Sequence, residues 1–306
     1  NEAPPAIISI FLGDQLEDII DQIAKGGVST CKKPGTMRIG VDILPKLPRD
    51  ATDRNRTSPF AFTGNKFEFR APGSSQPCAG SNMFLNTIVA ESLDYISERL
   101  EKASAKEFNE VLLKVIRDIV VKHRRIVFNG NGYSPEWEVE ATRRGLPNLK
   151  STPEALKPLL DPVNQKLMEK FGVFSKVEMD SRYEVFLEEY HRKLKIEVEV
   201  ALEIATSMIL PIAAAYYGRI AADLASAAQS KLKAGTAGLR TLAEQVGAGI
   251  DRLDAASAAL RKAAAGRNTV KTIAAMNALR EVVDTLELVL DDACWPLPKY
   301  REMLFI

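Results

Sequence analysis

The sequence predicts an α+β fold, and three observations carry that prediction. β-Branched apolar runs and a strictly alternating charged segment lie within the first seventy positions, helical periodicity takes over from about residue 83, and a seven-residue apolar repeat fills the last third. With 306 residues, 46% of them hydrophobic and 26% charged, the chain can bury a large core in one domain or two. Its 41 basic and 40 acidic residues leave a net charge of +1, so no bulk electrostatic attraction draws it to nucleic acid or to an anionic membrane, and neither is expected as a partner.

The opening "NEAPPAIISIF" lacks an initiator Met and sets a proline pair before a β-branched run, which reads as a loop feeding a strand over 6–11. Such a start suits a piece of a longer protein. "DQLEDIIDQIAKGG" (14–27) follows as a helix, with Leu16, Ile19, Ile20 and Ile23 on one face and glycines at its end. Residues 28–58, rich in Pro, Lys and Arg, read as an irregular loop around one short strand, and long loops in compact domains are often functional. In "GNKFEFR" (64–70), an extended chain places Lys66, Glu68 and Arg70 on one side and Phe67 and Phe69 on the other. From the heptapeptide alone this is a strand with a charged working face or an ordinary half-buried strand with weakly paired charges.

The Gly-, Ser- and Pro-dense "APGSSQPCAGSN" predicts a loop ending at Ser81 or Asn82, which would cap a helix over 83–103. A second helical run spans 107–128, "GNGYSPEW" makes a turn, and 175–210 forms a long helix or helix pair bounded by Pro211. Near the C-terminus Leu232, Leu239, Val246, Leu253 and Leu260 recur every seven residues, with Leu242, Gly249 and Ala256 three further on, which is the seam of a helix pair. After a break at 263–268, a helix carrying Ile273, Met276, Leu279, Val283, Leu286 and Leu290 is predicted to return antiparallel. The Ala and Gly content of the pair implies close approach of the backbones.

Cys31, Cys78 and Cys294 are widely separated, and with only His123 and His191 beside them they indicate neither a zinc cluster nor a disulfide framework; a reduced, cytoplasmic setting follows. The most apolar window, 208–225, contains Pro211, Arg219 and Asp223 and reads as too interrupted to span a membrane.

Chemically capable groups concentrate in "NEAPP", "DRNRTSPF" (53–60) and "GNKFEFR". Arg54, Arg56, Lys66 and Arg70 place four cations around Glu68 within seventeen residues. Guanidinium groups clamp phosphate or carboxylate oxygens in pairs, and a carboxylate among cations suits a divalent metal bridging to phosphate. That combination fits phosphoryl transfer, although no Walker loop and no GxGxxG accompanies it.

"DRNRTSPFAFTGNKFEFR" resembles the glutamine synthetase segment in which an Asn-Arg-Ser-like element precedes a basic-x-Glu-x-Arg strand, and its wording is similar to type III glutamine synthetases. "NEAPPAIISIFLGDQLEDII", "GSNMFLNTIVAESLDYI", "HRRIVFNGNGYSPEWEVEATRRGLPNL", "FGVFSKVEMDSRYEVFLEEY" and "WPLPKYREMLF" extend the resemblance, in order, over most of the chain. It implies an ATP-dependent ligase that makes glutamine from glutamate and ammonium through γ-glutamyl phosphate, with Mg²⁺ or Mn²⁺, in a large homo-oligomer. It further implies that Glu68 binds a catalytic metal and Arg70 contacts the substrate glutamate. Arg56 would grip the transferred phosphate and the nucleotide, Lys66 would approach ATP, and Glu2 would be the flap glutamate that helps take a proton from ammonium. Ion pairing of Glu68 with its neighbours, a surface salt bridge for Arg70, simple solvation for Lys66 and a plain loop acid at Glu2 are the structural alternatives.

The resemblance divides the chain into the C-terminal part of a catalytic domain of antiparallel strands and helices (1–198, with an insertion at about 12–52) and a helical region (199–306). Ala61 departs from the more familiar members, which place a further arginine after the Asn-Arg-Ser element. Their other metal-binding glutamates and small N-terminal domain fall before "NEAPP", so the 306 residues alone are expected to be inactive. A non-catalytic interaction or regulatory module built on the long helices is the alternative reading.

Overall fold

The computed structural model of the chain describes residues 7–27, 36–37, 47–48, 58–70, 77–266 and 268–304. It divides into two compact units, Asn1–Val185 and Phe186–Ile306, with the division falling inside one helix.

The first unit holds a small sheet of β1 (Ile10–Phe11), β4 (Phe60–Phe62) and β5 (Phe67–Phe69), in the order β1-β4-β5. Strands β4 and β5 form an antiparallel hairpin with Ala61 opposite Glu68. Its turn needs Gly64, whose φ of +98° is unfavourable for other residues. The expectation of antiparallel strands fails for β1, which runs parallel to β4. A parallel pair needs a long crossover, and the chain between them includes helix α1 (Gly13–Lys25). Outside β1 the sheet is prolonged by a parallel bridge between Ile10 and Val127, and the amide of Phe128 donates to the carbonyl of Ile10 at 3.0 Å. A second antiparallel pair, β2 (Thr36–Met37) and β3 (Leu47–Pro48), lies between α1 and β4.

Helix α1 ends as its sequence predicts. Gly26 takes a left-handed φ of +106°, and the amides of Gly26 and Gly27 close on the carbonyls of Ile23 and Gln22. Its half-buried isoleucine face packs on α3 (Phe108–His123). Helix α2 spans Ala79–Leu100 and so begins before the predicted cap: the hydroxyl of Ser81 donates back to the carbonyl of Cys78 instead of accepting a free N–H at the helix start. After α3, Arg124–Ile126 make a 3₁₀ turn and α4 spans Pro135–Arg143, capped by Ser134 and opened by proline. Trp137 of α4 is fully buried and stacks on Phe128 at 4.1 Å, closing a cluster with Ile7 and Ala141. Helices α5 (Thr152–Leu156) and α6 (Pro162–Lys170) precede α7 (Lys176–Glu203), and Met168, Phe174 and Met179 form a second cluster there.

Pro211 does not end the long helix. A π turn over Ile204–Ile209 carries α7 into α8 (Leu210–Gln229), with the amide of Leu210 bonded to the carbonyl of Ala205. The wider turn accommodates a ring that lacks an N–H and would clash in a regular α-helix. The hydroxyl of Thr206 donates to the carbonyl of Leu202 within the same stretch. The helix therefore continues through Pro211 in window 208–225, which still carries Arg219 and Asp223. By length and composition alone the run Lys176–Gln229 could cross a membrane, and 22% of its most apolar window is buried.

The second unit is a helical bundle. Both α8 and α10 (Thr269–Glu287) pack on α9 (Thr236–Ala265), so the predicted pair has a third member. Val246, Leu253 and Leu260 of the repeat are fully buried, against Leu279 and Leu286 of α10 and Ala213 and Ile220 of α8. Leu232 is a correction: it precedes α9 and is 62% exposed. Asn268 caps α10 by accepting the amide of Lys271 at 3.0 Å. Close approach is real at Gly249, where a Cβ would stand 2.4 Å from Cδ2 of Leu286. Short helix α11 (Tyr300–Met303) follows.

Candidate functional site

The β4–β5 hairpin separates chemistry from packing by strand alternation. Cross-strand pairs share a face, so Phe60 with Phe69 and Phe62 with Phe67 fall on one side, and Ala61 with Glu68 on the other. The four rings touch: Phe60 lies 5.5 Å from Phe67 and 5.9 Å from Phe69, and Phe62 lies 5.3 Å from Phe67. Those contacts turn the opposite face, with its charges, away from the aromatic cluster. Ala61 is completely buried opposite Glu68.

Glu68 stands between two cations. One carboxylate oxygen is 3.3 Å from Nζ of Lys66, and the other is 3.2 Å from Nη2 of Arg70. The hydrogen bond from Lys66, then that from Arg70, holds the Glu68 carboxyl below its usual range, so it is ionised at neutral pH. Side-chain exposure runs from 66% at Lys66 through 39% at Glu68 to 17% at Arg70. The guanidinium of Arg70 also donates to the carbonyl of Ser58 at 3.5 Å, and its amide is bonded to the carbonyl of Pro59 at 2.7 Å. Arg70 is thus anchored to the start of β4, whereas Lys66 reaches into solvent from the turn.

Of the predicted site residues, the structure brings Lys66, Glu68 and Arg70 together on one strand face. Glu2 and Arg56 lie outside the described residues, as does Arg54. The sequence reading missed Ser58, whose carbonyl fixes the Arg70 guanidinium. Backbone acceptors leave no residue-type signal, and only the register of β4 on β5 places this one.

Glu68 suits a hard divalent cation as one oxygen ligand, being ionised and part-exposed. Mg²⁺ or Mn²⁺ takes about six ligands, mostly oxygen, and the described residues contain no group of three or more His, Cys, Asp or Glu that could hold an ion. The described face therefore offers one carboxylate able to ligate such an ion, beside two cations paired to it.

Comparison with known proteins points one way. The family described as "Glutamine synthetase C-terminal domain" matches residues 111–228. The whole chain aligns at 40% identity with a type-3 glutamine synthetase from Dictyostelium discoideum, and covers 44% of that protein. It aligns at 35% identity with a glutamine synthetase from Bacteroides fragilis and at 32% with one from Butyrivibrio fibrisolvens, over its full length and 45% of theirs. The chain thus spans less than half the length of these curated relatives.

Proposed function

We infer that this chain, related over its whole length to type-3 glutamine synthetases, contributes part of an ATP-dependent glutamate–ammonia ligase. The observation that carries the reading is the Glu68–Arg70 pair on one strand face, in a chain that aligns end to end with glutamine synthetases.

In this reading Arg70 receives the carboxylate of glutamate or the acyl phosphate made from it, because an anchored guanidinium presents paired donors to a planar or tetrahedral oxyanion. Glu68 contributes one oxygen ligand to a divalent ion, Mg²⁺ or Mn²⁺, which when bound offsets the charge of the nucleotide phosphates. Lys66, largely exposed, approaches the nucleotide from the turn. Arg56 and Glu2 retain their proposed tasks of gripping the transferred phosphate and assisting deprotonation of ammonium. Glutamate, ATP and ammonium are the substrates, and a large homo-oligomer in the cytoplasm is the working form. The remaining metal ligands come from elsewhere in a protein of the relatives' length, so the isolated 306 residues are inactive.

The test is γ-glutamyl hydroxamate formation from glutamate, ATP and hydroxylamine, using a polypeptide of the relatives' full length that carries these residues. Activity that collapses in Glu68→Ala and Arg70→Ala supports the reading. An inactive wild type, or variants that match an active one, would return the charged strand to a plain solvated surface.

A further inference from the structure

A depression of about 440 Å³ opens in the first unit, lined by Glu17, Arg124, Arg125, Val127, Phe128, Asn129 and Arg144. Three guanidinium groups line it, with the carboxylate of Glu17 in the lining and those of Asp21 and Glu140 paired to the same arginines. Two of the three are structurally committed. Arg124 pairs with Glu17 and, at 3.0 Å, with Asp21, tying the 3₁₀ turn to α1. Arg144 holds Glu140 at 2.7 Å and donates to the carbonyls of Arg125 and Val127 at 3.2 and 3.0 Å, with its guanidinium 5.3 Å from the Trp137 ring. Glu17 is itself answered by Arg124 and by the side-chain amide of Asn129, whose carbonyl oxygen accepts the amides of Leu12 and Gly13 at 2.9 and 3.1 Å.

Arg125 is different. It is exposed, lines the depression and makes no ion pair with any described carboxylate. It is nonetheless placed: its Nη1 lies 3.8 Å from where a Cβ on Gly145 would stand, and Gly145 keeps a φ of +68° that favours glycine. Arg125 therefore adds an uncompensated charge to a concave surface that already holds two guanidinium groups.

We propose that this depression is a binding site for a phosphate-type oxyanion, held between Arg125 and Arg144 with Phe128 as an apolar wall. An oxyanion there would answer the charge of Arg125 with a bidentate, charge-assisted pair of hydrogen bonds, beside the already paired Arg144. The site is separate from the charged strand. Val127 flanks β1 on the side away from β4, so the segment order is Val127, β1, β4, β5, and Glu68 lies three strand spacings off, roughly 14 Å. Nothing in the proposal depends on the ligase reading.

Calorimetric titration of the 306-residue chain with inorganic phosphate, pyrophosphate and AMP, against chloride at matched ionic strength, tests it. Saturable binding is expected with at least one phosphate probe, weakened about tenfold by Arg125→Ala and less by Arg125→Lys, which keeps the charge without the fork. Arg240→Ala, an exposed arginine on α9, removes the same charge elsewhere and should leave binding unchanged. AMP binding more tightly than phosphate would identify a nucleotide as the natural source of the anion, and equal affinity a free phosphate. Absence of saturable binding, or binding that Arg125→Ala and Arg240→Ala affect equally, overturns the proposal.

Discussion

The β4–β5 hairpin and the α8–α10 bundle use their side chains in opposite ways. The hairpin has three-residue strands and keeps Lys66, Glu68 and Phe67 at least part-exposed. The bundle buries Val246, Leu253, Leu260, Leu279 and Leu286 almost completely, and no buried charge is found among its described residues. A face proposed to meet ions must stay open to them, while a seam that fixes helices must exclude water. Stability and chemistry should therefore respond to different substitutions.

The largest expected effect is on chemistry. Under the ligase reading, Glu68→Ala should lower γ-glutamyl hydroxamate formation by about a thousandfold in a polypeptide of the relatives' full length, a size typical of losing one electrostatic element of a site. The same substitution should barely move the thermal midpoint, since the side chain is solvent-accessible and its ion pairs are at the surface. A large fall in midpoint with activity retained would invert the comparison. In the bundle, Leu253→Ala removes a fully buried side chain and should cost about 2–5 kcal/mol in denaturant unfolding of the second unit. Hydroxamate formation per folded molecule should stay near wild type.

Gly249→Val is the sharper probe of the seam. A Cβ at this position would stand 2.4 Å from Cδ2 and 3.2 Å from Cγ of Leu286, itself 1% exposed, so the side chain must shift within a filled core. Overpacking of this kind costs about 1–3 kcal/mol. If Gly249→Val unfolded like wild type, the α9–α10 contact would be looser than the geometry indicates.

These two regions were also legible to different degrees. The seven-residue repeat located most of the bundle core because buried spacing on a helix is a property of one segment, and only Leu232 was misplaced, beyond the start of α9. The third helix was not legible, since what α8 packs against depends on the fold of a neighbouring segment. In the hairpin, alternation alone put Lys66, Glu68 and Arg70 on one face. It could not reveal that Ala61 is buried opposite Glu68 or that Ser58 holds Arg70, because both depend on strand register. The π turn escaped for a related reason: Pro211 signals a break, and hydrogen bonding two turns of helix around it decides whether the helix survives. Arg125 carries no pattern at all: nothing in the sequence separates it from Arg124, and only the fold gives Arg124 its carboxylates on α1 while Arg125 pairs with none among the described residues.

The smallest effect separates the two cations beside Glu68. Lys66 supplies the first cause of the lowered Glu68 pKa and Arg70 the second, so Lys66→Met should move the carboxyl partway back toward 4.5 and leave Arg70 to hold the rest. The sign of the stability change follows from linkage. A carboxyl with a lowered folded pKa stabilises the fold above its unfolded value, and that contribution is lost as pH falls through the folded value. Lys66→Met should thus bring the onset of acid sensitivity at Glu68 to a higher pH, with no change at neutral pH beyond what an exposed pair contributes. Carboxyl chemical shifts followed from pH 7 downward read this directly. An unmoved Glu68 titration would show that Arg70 alone sets the carboxylate, which would tie Glu68 more closely to the anchored cation and leave Lys66 free to serve a ligand in solution.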